Sequence, residues 1–243
     1  MSAPRKVLFA LTSHDTLGET GRKTGFYLPE AAHPWKALTD AGFEVDLVSV
    51  QGGRPPMDGE EPSDAAQTDF LKDPRMAAQL DNTPRPEEIT SGDYEAILFV
   101  GGHGTMWDFP LNAALTGVAR DIYEAGGVVA AVCHGPAALV NLTLSDGTYL
   151  VDGKNVAAFT NSEEDAAGLT DQVPFALQSK LEQRGAKHTS APDFQAHVVT
   201  DGRLVTGQNP ASATGLGEAL VTVLNASRAA WTHGLTARTD RTT

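Results

Sequence analysis

Short apolar runs alternate with amphipathic stretches along most of the chain. Five runs are rich in Val, Ile, Phe and Ala and predict strands: KVLFALTS (6–13), FEVDLVSV (43–50), YEAILFVGG (94–102), GVVAAVC (127–133) and KNVAAFT (154–160). Strands that are apolar at most positions are typical of a parallel sheet buried on both faces. Their alternation with helices predicts an α/β fold, with a mainly parallel central sheet and helices on both faces.

The amphipathic stretches predict these helices, and Pro and Gly residues mark their ends. The predicted helices are one that begins near Pro29 or Pro34 and ends before Gly42, then 110–125, 136–142, 163–184 with an interruption near Pro174, and a last helix from Asn209. In HVVTDGRLVTG (197–207), two apolar arms flank Asp201 and Gly202, a dipeptide that favours a tight hairpin turn. This segment predicts a late antiparallel element.

Length and composition limit the organisation of the protein. The chain has 243 residues and no Pro/Gly/Ser-rich linker, so we expect one domain over residues 1–228 and a flexible tail over 229–243. The formal net charge of −13 argues against nucleic acid as a partner, because clustered Lys and Arg would be needed to neutralise phosphates. No apolar run reaches the ~18 residues of a membrane span. The single cysteine fits a reducing cytoplasm.

Cys133 ends the strand GVVAAVC and precedes a His-Gly-Pro turn. A lone cysteine is often only a small buried hydrophobic residue. Here the strand, the sharp turn and the helix predicted from Pro136 match a nucleophile elbow, which presents a reactive side chain on a strained backbone. A helix N-terminus also favours thiolate, so we expect a reactive Cys133 with a pKa below the ~8.5 of a free cysteine.

The strand before it in the sequence ends in VGGHGTMWD, at the same predicted edge of the sheet. Gly101, Gly102 and Gly104 would let backbone N–H groups approach a substrate closely, as an oxyanion hole requires. A tight connection between strand and helix is the alternative explanation for these glycines. Only their adjacency to the predicted elbow favours the functional interpretation.

Several ionisable groups could move protons near Cys133. His134 follows it directly, and Glu163 or Glu164, after the strand KNVAAFT, could orient the imidazole. Both glutamates could instead be ordinary helix-start residues. Glu30 has aromatic and aliphatic neighbours that would bury it, raise its pKa and make it a general acid/base. A helix-start role is the alternative for Glu30 as well.

Seven segments, spread in the expected order from about residue 6 to about residue 228, resemble the PfpI superfamily of class I glutamine-amidotransferase-like proteins. The resemblance is closest to the branch of heat-shock-protein-31-like chaperones and glutathione-independent glyoxalases. It implies a flavodoxin-like three-layer sandwich with a nucleophile elbow. The segments are TGFYLPEAAHPW, VDLVSVQGGRPPMD, FVGGHGTMWD, VVAAVCHGPAAL, FTNSEED, VPFALQSKL and VTGQNPASA.

The resemblance also implies roles for individual residues. Cys133 would be the nucleophile and His134 its partner, since the histidine directly follows the cysteine in this branch. Counting from the Phe-Thr pair that precedes them makes Glu164 the third member of the triad, with Glu163 as the alternative. Glu30 would hydrogen-bond the thiol and shuttle protons.

The oxyanion hole implied by the resemblance consists of the backbone N–H groups of Gly102 and His134, with His103 and Gly104 beside it at the substrate. The implied reaction converts methylglyoxal or glyoxal to a hydroxy acid, D-lactate in the first case, through a Cys133 hemithioacetal and an enediol. It needs no cofactor, and no close spacing among the seven histidines predicts a metal site.

Two other activities are alternatives. A cysteine hydrolase or protein deglycase would use the same thiol on another substrate, and a stress-response holdase would need an exposed apolar patch instead of the cysteine. The resemblance further implies a homodimer.

Overall fold

The computed structural model describes the backbone of residues 4–239 and the side chains of residues 4–226. Within residues 4–239 the strands are β1 (Lys6–Leu11), β2 (Phe26–Tyr27), β3 (Glu44–Ser49), β4 (Met57–Asp58), β5 (Ala96–Phe99), β6 (Val128–Val132), β7 (Asn155–Val156), β8 (Lys187–His188), β9 (Val198–Asp201) and β10 (Leu204–Gly207). The α-helices are α1 (Leu28–Asp40), α2 (Ala65–Lys72), α3 (Pro74–Asp81), α4 (Thr105–Asp108), α5 (Ala113–Glu124), α6 (Asn161–Ala166), α7 (Leu177–Gln183) and α8 (Ala213–Thr239). Short 3₁₀ helices occupy Pro86–Glu88, Ser91–Asp93, Phe109–Leu111, Gly135–Asn141 and Pro210–Ser212.

Six of the described strands form a central sheet in the order β3-β1-β5-β6-β10-β9. Neighbouring strands run parallel except β9 and β10, which are antiparallel. Every residue of β5 and β6 is buried, as internal strands of a sheet covered on both faces require. The predicted mainly parallel sheet is confirmed, and the predicted hairpin at 197–207 supplies its antiparallel edge.

Two groups of helices cover this sheet. Helix α1 packs against α2 and α8, and α8 also contacts β6 and β10. Helix α5 contacts β5, β6 and the 3₁₀ helix Gly135–Asn141, which α7 contacts as well. The result is the flavodoxin-like sandwich. Because β1, β5 and β6 are parallel, the turns that follow them meet at one edge of the sheet, where α/β folds bind their ligands.

The predicted strand 154–160 is wrong in its extent and its position. Only Asn155–Val156 is a strand, and it pairs with β8 outside the central sheet. The place beside β6 is taken by β10. Residues 157–160 lie outside the strands and come to the end of β6, where the Phe159 N–H donates to the Cys133 carbonyl.

Two predicted helices also differ from the structure. The segment 136–142 is a 3₁₀ helix, Gly135–Asn141, instead of an α-helix. The segment 163–184 forms two short helices, α6 and α7, so the predicted interruption near Pro174 is confirmed, but the irregular turns between them are long and span 167–176. Proline disrupts a helix interior because it lacks an N–H donor and its ring clashes with the preceding turn.

The helices within the described residues include none that is long and apolar enough to cross a membrane. The predicted tail, 229–243, lies outside the residues whose side chains the structure describes. The flexible tail and the domain boundary at residue 228 therefore stay predictions.

Candidate active site

Cys133 directly follows β6 and adopts a left-handed backbone conformation with a φ of 59°. Residues other than glycine rarely occupy this region, so the predicted strained elbow is confirmed. Hydrogen bonds hold the residue on both sides. Its N–H donates to the Gly207 carbonyl at 2.9 Å, and its carbonyl accepts the Phe159 N–H at 2.9 Å. Contacts from two other segments of the chain therefore hold this conformation in place.

A chain of hydrogen bonds leads from the Cys133 thiol through His134 to Glu164. The Sγ atom lies 3.3 Å from His134 Nδ1, and His134 Nε2 lies 2.7 Å from Glu164 Oε2. An ionised carboxylate can only accept hydrogen bonds, so Nε2 carries the hydrogen and Nδ1 is left as an acceptor. The imidazole is thus oriented to take a proton from the thiol.

Electrostatics support these protonation states. Burial would raise the pKa of Glu164, but hydrogen bonds from His103 and His134 outweigh it and lower that pKa to about 2. Burial, and then the nearby His103, lower the pKa of His134 to about 4. At neutral pH the site therefore holds a neutral imidazole next to an ionised carboxylate.

The expectation of a depressed thiol pKa is wrong. Burial raises the pKa of Cys133, and the neighbouring Glu30 raises it further. Cys133 is 4% exposed. A hydrogen bond from the backbone N–H of His134 lowers the thiol pKa, but by less than burial raises it. A seven-residue 3₁₀ helix follows Cys133 in place of the predicted α-helix. Cys133 is a thiol at rest and needs a base to become nucleophilic.

Glu30 lies on α1 and is fully buried. Its carboxyl group occupies the space that Gly101 leaves open, since a Cβ on Gly101 would lie 2.2 Å from Glu30 Oε2 and 3.0 Å from Cys133 Cβ. Among the described residues neither carboxyl oxygen has a well-formed hydrogen bond. Burial raises the pKa of Glu30 to about 8, although weaker contacts with the Cys133 thiol and the Gly101 backbone oppose it. Glu30 is therefore mainly protonated at neutral pH.

Glu163 has a structural environment of its own. Its carboxylate accepts hydrogen bonds from Thr160, Gln208, Asn209 and the Phe194 N–H. With Thr160 it forms a capping box at the start of α6. The second glutamate of the pair, and not the first, reaches the imidazole, as the count from the Phe-Thr pair predicts.

His103 shares Glu164 with His134. Its Nε2 lies 2.9 Å from Glu164 Oε1, and the two imidazole centroids are 4.0 Å apart. The His103 side chain is 23% exposed, against 1% for His134, so it forms the outer part of the cluster. The sequence places His103 beside the substrate but contains no signal for its contact with Glu164, which is 61 residues away.

Gly102 and Gly104, after β5, both lie against the loop between β1 and β2. Gly102 has a φ of 112°, and a Cβ there would lie 2.2 Å from the Gly25 carbonyl oxygen. Its N–H makes none of the backbone hydrogen bonds of this turn, which suits an oxyanion-hole donor. A Cβ on Gly104 would lie 2.6 Å from the His14 carbonyl oxygen. Close packing against the loop between β1 and β2 therefore requires glycine at both positions.

Sequence reasoning missed two residues that build the site. The Thr105 hydroxyl lies 2.9 Å from the carbonyl oxygens of both Gly102 and His134, and so connects the turn after β5 to the elbow. The Phe159 ring packs on the His134 imidazole, with centroids 4.4 Å apart. Threonine at a helix start and phenylalanine in an apolar run are common, so neither residue gives a signal by itself.

The model of the DJ-1/PfpI family matches residues 23–223, which is most of the chain. The chain belongs to the DJ-1/PfpI family. This membership agrees with the resemblance seen in the sequence, and it places the cysteine elbow within a known family framework.

Named members of the DJ-1/PfpI family are similar over nearly their whole length. The glutathione-independent glyoxalase HSP31 of Saccharomyces cerevisiae is 38% identical over 229 residues, which cover 87% of this chain and 94% of that protein. Glyoxalase 3 of Candida albicans is 34% identical over 234 residues, which cover 89% and 97% respectively.

Solved structures of related proteins agree. The rapid encystment protein of Francisella tularensis superposes with a TM-score of 0.87 at 40% identity, covering 90% of this chain and 99% of that one. Glyoxalase III of Candida albicans superposes with a TM-score of 0.82 at 32% identity, covering 90% and 97%. The flavodoxin-like fold is thus shared with proteins of closely similar length.

Proposed function

We propose that this protein is a glutathione-independent glyoxalase that converts methylglyoxal or glyoxal to the corresponding hydroxy acid. Two of its similar relatives carry the names of such glyoxalases. The observation that carries the proposal is the buried Glu30 carboxyl beside the Cys133 thiol. The thiol can add to an aldehyde. The neighbouring carboxyl, which titrates near pH 8, can then move a proton between the two substrate carbons.

The reaction begins when His134 Nδ1 takes the proton of the Cys133 thiol. The thiolate then adds to the aldehyde carbon of methylglyoxal, and the aldehyde oxygen takes up a proton to give a hemithioacetal. Cys133 is 4% exposed, so this addition takes place in an enclosed site. The pairing with Glu164 holds the imidazole in the tautomer that can accept this proton.

The second step moves a proton between two carbons. Ionised Glu30 removes the hydrogen from the carbon bonded to sulfur while the ketone oxygen takes up a proton, which gives an enediol. Glu30 then returns the hydrogen to the neighbouring carbon, and the hydroxyl on the carbon bonded to sulfur gives up its proton. The product is a thioester of Cys133, and its hydrolysis by one water molecule releases lactate and the free thiol. A carboxyl with a pKa of about 8 has both protonation states accessible near neutral pH, as this double role requires.

The developing negative charge on the substrate oxygen needs donors. The Gly102 and His134 N–H groups are our proposed oxyanion hole, and each donor of this kind is worth about 10²–10³-fold in rate. His103, on the outer side of the cluster, is our proposed substrate contact. The Thr105 hydroxyl contacts one carbonyl of each turn and would hold the two donors in position.

The test is formation of D-lactate from methylglyoxal in the absence of glutathione and added metal. Wild type should produce it, while Cys133→Ala and Glu30→Gln should each lose at least about 10²-fold in kcat/KM. Glu19→Gln is the matched control, because Glu19 is an exposed glutamate, and it should keep wild-type activity. Lactate formation at the wild-type rate by Cys133→Ala would refute the proposal.

A cysteine hydrolase would use the same thiol but has no carbon-to-carbon proton transfer, so Glu30→Gln would spare it. A holdase would need a large apolar patch, whereas the exposed large apolar residues of the described part of the chain are Leu111 and Phe194. A cytoplasmic location and a homodimer stay predictions from the sequence. Sedimentation at micromolar concentration tests the dimer.

A further inference from the structure

His103, His134 and Glu164 bring three potential metal-ligating atoms to one place. One ring nitrogen of each histidine and one oxygen of Glu164 lie within 4.8 Å of one another, and these are described residues. Two imidazoles and one carboxylate are a frequent ligand set for Zn²⁺ and related divalent ions. We propose that these three side chains bind one divalent transition-metal ion, represented by Zn²⁺, and that the bound ion blocks the reaction at Cys133.

Both imidazoles already face the same carboxylate. His103 Nε2 lies 2.9 Å from Glu164 Oε1, and His134 Nε2 lies 2.7 Å from Glu164 Oε2. An ion in place of the two hydrogens between them would contact both nitrogens and the carboxylate. Zn–N and Zn–O distances are about 2.0–2.2 Å, so side-chain movements of about 1 Å would complete the coordination.

The surroundings provide access and support for an ion. The 23% exposure of the His103 side chain opens the cluster to solvent on one side. Three protein ligands leave one coordination position for water, as in exchangeable zinc sites. The second ring nitrogen of His134 lies 3.3 Å from Cys133 Sγ, which supplies the outer-shell hydrogen-bond partner that ligating histidines usually have.

Blocking follows from the two nitrogens of His134. A metal ion needs the lone pair of Nε2, so the hydrogen on that atom must move, through solvent, to Nδ1. Nδ1 then donates toward Cys133 Sγ and cannot accept the thiol proton. This part of the inference rests on the proposed function, whereas binding of the ion does not.

The same contacts can hold the imidazoles without any ion, so binding must be measured directly. The full chain, stripped with EDTA, is titrated with Co²⁺ and Zn²⁺ by calorimetry and visible absorption. We expect one ion per chain, with a Co²⁺ absorption band that Zn²⁺ displaces. His103→Gln should weaken the affinity at least tenfold. His33→Gln is the matched control, because His33 also contacts a carboxylate, that of Asp64, at 2.7 Å. The affinity of this variant for Zn²⁺ should equal that of wild type.

Cys133→Ala separates this site from the proposed function. It removes the nucleophile but none of the three ligands, so it should bind Zn²⁺ as tightly as wild type. Loss of binding in Cys133→Ala would identify the thiol as a ligand and overturn the site. The site would also be overturned if wild type showed no saturable one-to-one binding, or if His33→Gln weakened the affinity as much as His103→Gln does. If His103→Gln fails to fold, the wild-type and Cys133→Ala titrations still decide.

The blocking effect is tested on the active wild-type enzyme. With enzyme and Zn²⁺ at equal concentrations, both well above the dissociation constant, D-lactate formation should fall at least tenfold. EDTA should restore it. Full activity with the ion bound would overturn the blocking effect and leave the site intact. If wild type forms no lactate at all, the proposed function fails, and the titrations still decide whether the ion binds.

Discussion

Glu30 shows how a single residue acquires its chemistry from its position. The carboxyl group lies where a side chain on Gly101 would be, against the Cys133 Cβ. It is fully buried and lacks a well-formed hydrogen bond to the described residues. Burying an unpaired carboxyl is costly, and the pKa rises so that the group is neutral.

Gly101 should be as sensitive as the residues with reactive side chains. In Gly101→Ala the new Cβ would lie 2.2 Å from Glu30 Oε2, so the carboxyl must move away from Cys133. We expect at least a tenfold loss of lactate formation and a free energy of unfolding lower by about 1–3 kcal/mol, measured by urea denaturation.

Gly117→Ala is the matched control for this substitution. Gly117 lies within α5, and the nearest atom to an added Cβ is 3.9 Å away. Alanine there should leave activity unchanged and raise the free energy of unfolding by about 0.5–1 kcal/mol, because glycine is a poor helix former. Unchanged activity in both variants would contradict the assigned position of Glu30.

Glu30→Gln should separate thiol reactivity from turnover. Ionised Glu30 raises the pKa of Cys133, and glutamine cannot ionise. The pH midpoint of iodoacetamide alkylation should therefore lie above ~8.5 in wild type and fall in Glu30→Gln. Lactate formation should be lost in the same variant. An alkylation midpoint below ~8.5 in wild type would show that burial does not control this thiol.

At the scale of elements, the site is a junction of two turns at one edge of the sheet. The turn after β5 provides Gly102 and His103, and the turn after β6 provides Cys133 and His134. The Thr105 hydroxyl, 2.9 Å from a carbonyl oxygen of each turn, holds the two together. This side chain therefore helps to set the position of the proposed nucleophile relative to the proposed oxyanion-hole donor.

Thr105→Val keeps the shape of the side chain and removes this connection. We expect kcat to fall about tenfold or more with little change in KM, because misplacing the donor weakens mainly the transition state. The free energy of unfolding should fall by about 1–3 kcal/mol, since buried carbonyls lose their donor. A KM effect alone would assign Thr105 to substrate binding.

Thr116→Val is the matched control. The Thr116 hydroxyl also contacts two carbonyls, those of Asn112 and Ala113, but it does so within the first turn of α5. Its loss should leave kcat unchanged. Equal losses of activity in the two threonine variants would show that the effect is general and unrelated to the junction.

At the scale of the whole molecule, the buried carboxyl should appear in the pH dependence of stability. The pKa of Glu30 is about 8 in the folded protein and near the ordinary 4.5 when unfolded. Between these values the folded state holds the proton more tightly, so the free energy of unfolding falls as pH rises from 4.5 to 8. The loss is about 1.4 kcal/mol per pH unit for this group.

Glu30→Gln should lack this loss, so its free energy of unfolding should gain on that of wild type as the pH rises from 5 to 8. Urea unfolding at pH 5, 6.5 and 8 measures it. His134, whose pKa is lowered to about 4, makes stability fall as pH drops from 6.5 to 4 in both proteins, and this contribution cancels in the difference. Glu19→Gln should follow wild type, and parallel curves for Glu30→Gln would contradict the buried carboxyl.

The sequence by itself determined the features that are local in the chain. The strand GVVAAVC and its His-Gly-Pro turn predicted a strained Cys133, because a buried strand followed at once by a reversal has few backbone solutions. The central strands followed from apolar runs, and the choice of Glu164 over Glu163 followed from the resemblance to the PfpI superfamily. The segment 154–160 was predicted wrongly, because its apolar pattern also fits a chain that crosses the end of a sheet.

Only the tertiary structure decided what depends on distant segments. The contact of Glu30 with Cys133 needs α1 to pack beside the elbow, and the sharing of Glu164 by two histidines joins residues 61 and 30 positions apart. The tertiary structure also decided that the Cys133 pKa is raised and not lowered. A pattern of residues shows which groups can ionise, but the cost of charging them depends on how completely the folded chain excludes water.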